Sequence, residues 1–152
     1  MTSPRRVIIS IQDVDGTVYE GPGPKSDPWH GFASGKSESG SYSVKCTGIK
    51  KTKDYGETGY CRVNMQIQRA GDSSVSWNAK FLMHPTFREE ELILKAVPEG
   101  DVATEYFWSY GPFVVAVVVL ENGKETARLE LDLMLYRENH RVNGAPADWW
   151  TR

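Results

Sequence analysis

FVVAVVVLENGKETARLELDLML, residues 113–135, is the stretch that decides the fold class. Its first eight residues are an unbroken apolar run, too short to cross a bilayer and rich enough in β-branched valine to favour a strand buried on both faces. Its last seven alternate: Leu129, Leu131, Leu133 and Leu135 fall on one face, Glu130, Asp132 and Met134 on the other, the period-2 pattern of a half-buried strand. Between them stands Glu121-Asn122-Gly123-Lys124, whose Asn-Gly pair tolerates positive φ and predicts a tight hairpin. The alternation predicts that the last strand runs through Leu135.

The pattern extends upstream. Residues 60–69 alternate Val63, Met65 and Ile67 against Arg62, Asn64, Gln66 and Gln68, and Gly71-Asp72-Ser73-Ser74 predicts a turn into a partner strand over 75–83, a second hairpin. Residues 92–97 read as a strand stopped by Pro98 and Gly100, and residues 104–108 as an aromatic edge strand or loop rim. No helical periodicity is expected anywhere. The chain as a whole is therefore expected to be all-β.

Two loops within this sheet carry the chemistry. His84-Pro85-Thr86-Phe87 follows one predicted strand, and Ser109-Tyr110-Gly111-Pro112-Phe113 leads into the valine run. With the closing LELDLML, these pieces resemble, in order and spacing, the YEATS domain family, especially its prokaryotic branch, over roughly residues 42–136. The resemblance implies an immunoglobulin-like β-sandwich acting as a non-enzymatic recognition module for acylated lysine or another flat ligand. It assigns a binding role to His84, Thr86, Phe87, Tyr110, Gly111 and Phe113. Phe87 and Tyr110 would clamp the planar acyl-amide, whose lysine has lost its charge. Thr86 would offer its hydroxyl to the amide, with His84 orienting that hydroxyl. Phe113 would wall the pocket, and the Tyr110 backbone N–H would donate to the acyl carbonyl. Ser109 stands where glycine is common in the family, and Pro112 fixes φ and removes a donor, so both bear on the loop's geometry. Taken without the resemblance, the same residues also read as inter-sheet core plugs and a loop histidine bonded to backbone, a reading that suits Phe113 best.

The resulting organisation is an N-terminal hairpin over residues 1–20, a Gly/Pro/Ser-rich loop over 21–41, the sandwich over 42–137 and a tail over 138–152. The loop reads as a linker or mobile segment in which Trp29-His30-Gly31-Phe32 is an apolar plug or a partner-binding knob. The tail carries Trp149-Trp150, docked on the sheet or on a second subunit.

Composition narrows the partners. With 18 Lys+Arg against 20 Asp+Glu, net charge −2, and no basic stretch interleaved with aromatics, the sequence disfavours nucleic acid. Lys45, Lys50, Lys51 and Lys53 neighbour Asp54 and Glu57 and read as a solvated loop. No segment suits a membrane span or a signal peptide, which points to a cytoplasmic protein. Cys46 and Cys61 lie too far apart for a CxxC pair and read as reduced thiols, although opposed strands would bring them within disulfide reach. No cofactor and no metal site are expected, since His30, His84 and His140 have no ligand partners at a usable spacing.

Asp13-Val14-Asp15-Gly16-Thr17 matches the DxDGT signature of magnesium-dependent phosphotransferases, with Asp13 as nucleophile and Asp15 as acid-base. That chemistry needs alternating strands and helices downstream, and this chain offers strands. The favoured reading is a hairpin turn between alternating Ile9, Ile11 and Thr17, Tyr19, in which Asp13→Ala would leave stability unchanged. A third class remains open beside reader and enzyme: an interaction domain of a bacterial or phage conflict system with a vestigial pocket.

Overall fold

The computed structural model describes residues 9–51, 60–71 and 75–139. Residues 1–8, the turn at 72–74, the acidic neighbours Asp54 and Glu57 with Lys53, and the tail from His140 through Trp149 and Trp150 lie outside the described residues, as do the readings made of them.

Strands β1 (Ile9–Gln12) and β2 (Val18–Gly21) pair antiparallel as an N-terminal hairpin. The remaining strands are β3 (Glu38–Ser39), β4 (Tyr42–Lys51), β5 (Cys61–Arg69), β6 (Trp77–Leu82), β7 (Ile93–Ala96), β8 (Val102–Ser109), β9 (Val114–Glu121) and β10 (Lys124–Asp132). They form two four-stranded antiparallel sheets, β3-β4-β5-β8 and β10-β9-β6-β7, packed together as a β-sandwich.

The valine run explains how a third layer is added. Residues of β9 alternate between two cores: Val115, Val117 and Val119 face Val63, Met65 and Ile67 of the other sheet, with Phe81 of neighbouring β6 in the same core. Val114, Ala116, Val118 and Leu120 face outward, where Ile11, Tyr19, Trp29 and Phe32 cover them. A strand sealed on both faces has no polar side, so its sequence loses the period-2 signature. The Asn122-Gly123 hairpin joins β9 to β10 as expected, with φ of 53° and 80° at the two turn residues.

Four expectations are corrected. Lys45, Lys50 and Lys51, which read as a solvated loop, stand on strand β4, with their side chains exposed along it. The hairpin expected between residues 60–69 and 75–83 does not form: β5 pairs with β4 and β8, whereas β6 pairs with β9 and β7, so the chain crosses between sheets there. Alternation places a strand's faces but does not choose its partner. The last strand stops at Asp132, and helix α1 (Leu133–Asn139) follows. The Asp132 carboxylate accepts the Met134 N–H at 2.9 Å, an N-cap that turns the chain out of the sheet. Leu133 still seals the core while Leu135 is 56% exposed.

The loop expected to be a linker is a strap instead. Trp29 is fully buried and Phe32 nearly so, and the indole N–H of Trp29 donates to the Met83 carbonyl at 2.8 Å. Glu130, expected on a solvated face, is 5% exposed beneath this strap. Its carboxylate accepts the backbone N–H groups of Gly31, Ala33 and Gly35 at 3.0, 2.7 and 2.8 Å. Gly23 sits where a Cβ would fall 2.3 Å from the Asp27 carbonyl oxygen, so the strap's first turn excludes any side chain. The plug reading of Trp29-Phe32 is the one the packing supports.

Candidate functional site

The loop after β6 and the loop between β8 and β9 meet at one end of the sandwich. Phe113 is the hub: its ring lies 5.4 Å from Phe87, 5.7 Å from Phe107 and 5.8 Å from His84. At 5% exposure it belongs to the inter-sheet core, and Phe87 packs half-buried against that core. Ser109 accounts for its place in the second loop. Its hydroxyl donates to the Gly111 carbonyl at 2.8 Å and accepts the Gly111 N–H at 3.3 Å, closing the turn that leads to Pro112.

His84 is held from both sides. Its Nε2 lies 2.9 Å from the Ser26 carbonyl oxygen, which only accepts, so Nε2 carries the proton. Nδ1 then accepts, from the Thr86 backbone N–H at 3.2 Å and from the Thr86 hydroxyl at 2.9 Å. The hydroxyl proton of exposed Thr86 is thereby committed inward, and its oxygen is left as an acceptor toward solvent. The strap contributes Ser26, a partner that no local motif could reveal.

Tyr110 is 48% exposed and belongs to a different group of rings. Its ring is 4.4 Å from Tyr60, which stacks on Trp108 at 5.8 Å with planes 18° apart, and Trp108 meets Tyr106 edge-on at 6.5 Å. The Arg62 guanidinium lies 4.0 Å over the Tyr106 ring. Thus His84, Phe87 and Phe113 come together, Gly111 shapes the loop behind them, and Tyr110 stands with Tyr60 rather than in ring contact with Phe87. Burial, then the neighbouring Tyr110 phenol and Glu91, push the Tyr60 phenol up. Tyr60, Tyr106, Trp108 and Arg62 were not assigned to a site from the sequence. The signal was present in β8 and the residue just past it: Tyr106 and Trp108 share a strand face, and Tyr110 continues the same spacing after the strand ends.

The DxDGT stretch is the hairpin turn. The Asp13 N–H donates to the Thr17 carbonyl at 2.8 Å, the Asp15 carboxylate accepts the Thr17 N–H at 2.9 Å, and Gly16 takes φ 91°. The packing bears against the expectation that Asp13→Ala leaves stability unchanged: Asp13 is 7% exposed and ion-paired with Lys80 of β6, itself 5% exposed. Lys80 also reaches Asp15 at 3.4 Å and donates to the Tyr19 hydroxyl at 3.1 Å. Burial pushes the Asp13 carboxyl up, but the Lys80 ammonium and the Val14 N–H outweigh it and hold the group below the ordinary aspartate range.

Cys46 and Cys61 are free and buried, opposite Met65 and Lys51 respectively, and burial pushes both thiols up to about 11. Their register sets them apart along the sheet rather than opposed. A cleft of about 560 Å3 lies where β10 and α1 approach β4 and the strap, bordered by His30, Lys45, Asp132 and Tyr136, and by none of the six site residues named from the sequence. Among the described residues no cluster of three or more His, Cys, Asp or Glu side chains could hold a metal ion, and no helix is long and apolar enough to cross a membrane.

No protein-family model, curated protein or solved structure matches this chain.

Proposed function

We infer that the protein is a non-enzymatic recognition module, an immunoglobulin-like sandwich of YEATS type that takes an acylated lysine or another flat, neutral ligand at the His84/Tyr110 end. The observation that carries this reading is the orientation of Thr86. A hydroxyl whose proton is spent on His84 offers lone pairs outward, which suits the N–H of a secondary amide and not a carbonyl. Exposed aromatic surface stands in the partner loop, where Tyr110 projects beside Tyr60. In this reading the flat ligand lies between the Phe87–Phe113 rings and the Tyr110–Tyr60 rings.

Titration calorimetry with crotonyl-lysine, acetyl-lysine and unmodified peptides tests the reading. Acylated peptides bind in preference to unmodified ones. Tyr110→Ala weakens that binding about tenfold to a hundredfold, as expected for loss of a stacking ring, while Tyr110→Phe retains most of it. Thr86→Val keeps the shape but removes the acceptor, and selectivity for the amide falls. Equal binding of acylated and unmodified peptides overturns the reader reading and leaves an interaction domain in its place.

A further inference from the structure

The outward face of the sheet β3-β4-β5-β8 has a composition that neither its strands nor the whole chain display in sequence. Cross-strand register aligns Lys50 of β4, Arg62 of β5 and Trp108 of β8 in one row. The next row places Asn64 beside Tyr106, and the next Lys45 beside Gln66 and Thr104. Tyr106 and Trp108 are 48% and 41% exposed, although large aromatics on a solvated sheet face are normally covered. β4 and β5 contain no acidic residue, and the one acid of β8, Glu105, lies on the opposite parity, facing Met65. The nearest outward acid in this sheet is Glu38 of β3, one row beyond Lys45, opposite Ser43. Arg62 Nε is shielded and has no hydrogen-bond partner among the described residues, while its guanidinium lies over Tyr106.

A surface of stacking rings beside a band of cations, with amide side chains between, matches one chemistry closely: flat bases strung on a polyanion. A neutral glycan would use the rings but leave the cations unanswered, and an acidic peptide would use the cations but leave the rings without planar partners. We propose that this face binds single-stranded nucleic acid, with bases on Tyr106 and Trp108 and phosphates on Lys50, Arg62 and Lys45. The net charge of −2 does not oppose this, because fields at a surface follow the local distribution, and the outward rows of β4, β5 and β8 carry Lys45, Lys50 and Arg62 with no acid among them. A duplex offers no exposed base faces, so single strands are preferred. The face adjoins the acyl-lysine end through Tyr60, which packs on both Trp108 and Tyr110, but the proposal does not rest on the acyl-lysine reading.

Fluorescence anisotropy of end-labelled dT12 and U12 tests it, with the two strands reporting whether DNA or RNA is preferred. Both arms are run at low and moderate salt against the same-length duplex, cellohexaose and polyglutamate. The single strands bind and the duplex binds more weakly. With three phosphates neutralised, affinity falls about 18-fold between 50 and 200 mM salt. Trp108→Ala weakens binding about tenfold or more, Arg62→Gln reduces both affinity and salt slope, and Lys124→Ala, at the hairpin end of β10, changes neither. The proposal fails if neither oligonucleotide binds at 50 mM salt, if Trp108→Ala binds like wild type, or if cellohexaose or polyglutamate displaces the oligonucleotide at equal concentration. Acyl-peptide binding measured on the same Trp108→Ala protein separates the two claims: loss of the oligonucleotide with the acyl peptide retained supports a separate site on this face, and unchanged oligonucleotide binding overturns it whatever the acyl peptide does.

Discussion

At the scale of single residues, the buried pair Asp13–Lys80 shows how a motif of catalytic appearance is used to hold structure together. Lys80 sits mid-strand on the outer face of β6, where the hairpin β1-β2 closes over it, and an ammonium placed there demands an anion. Asp13 provides it from the hairpin turn. Asp13→Ala is expected to destabilise the protein by about 3 kcal/mol, the lower part of the range for orphaning a buried charge, because half-exposed Asp15 remains 3.4 Å away. Asp13→Leu combined with Lys80→Met should recover most of the loss, since an apolar pair of similar volume needs no desolvation. The pH dependence follows from the two shifts. Asp13 is held below its ordinary range, so its contribution is complete above about pH 4 and is lost as pH falls through the depressed value. In Lys80, burial pulls the ammonium down, but Asp13 and Tyr19 outweigh it and raise the group, so its contribution holds below about pH 10 and is lost only beyond that. Urea unfolding of wild type and Asp13→Ala should therefore differ by a constant amount between pH 5 and 9 and converge below pH 4. A constant gap down to pH 2 would contradict the pairing.

At the scale of elements, most strands were legible and their partners were not; β4 is the exception, since Lys45, Lys50 and Lys51 read as a solvated loop although Tyr42, Val44 and Cys46 alternate inward between them. The Asn122-Gly123 hairpin could be read because two residues at positive φ specify a turn locally. The pairing of β5 with β8, and of β6 with β9, rests on long-range burial that alternation does not encode. Asp132 as an N-cap was concealed by the leucine alternation running past it, since Leu133 satisfies a strand face and the helix start alike. The strap over residues 22–37 reads as a linker in sequence because Gly, Pro and Ser look alike in a mobile segment and in a tightly turned one. What distinguishes them here is Glu130, a distant carboxylate that collects three strap amides. Glu130→Gln keeps the size and removes the charge. It should cost about 2–3 kcal/mol, since hydrogen bonds to a charged acceptor are among the stronger ones, and hydrogen exchange should speed up at Gly31, Ala33 and Gly35. Unchanged protection at those amides would mean that the strap is held by Trp29 and Phe32 alone.

At the scale of the whole molecule, the sandwich positions two loops whose contacts with one another are carried by core residues. Phe113 and Phe87 pack into the inter-sheet core, so the rings that the acyl-lysine reading uses also hold the fold together. This is why the loop residues could be named from sequence while the local arrangement could not: His84 depends on Ser26 in the strap, and Tyr110 on Tyr60 at the entry to β5. The aromatic face of β8 was visible in sequence only as an edge strand, because its cations come from β4 and β5 and are brought alongside by register. The most direct test of the recognition reading is an amide chemical-shift map of the 15N-labelled protein titrated with a crotonyl-lysine peptide. Perturbations should concentrate on residues 84–87 and 109–113 and on Tyr60, with smaller effects at Ser26 through the His84 bridge. Shifts confined to the cleft beside His30 and Tyr136, or absent at Thr86 and Tyr110 under saturating peptide, would contradict it.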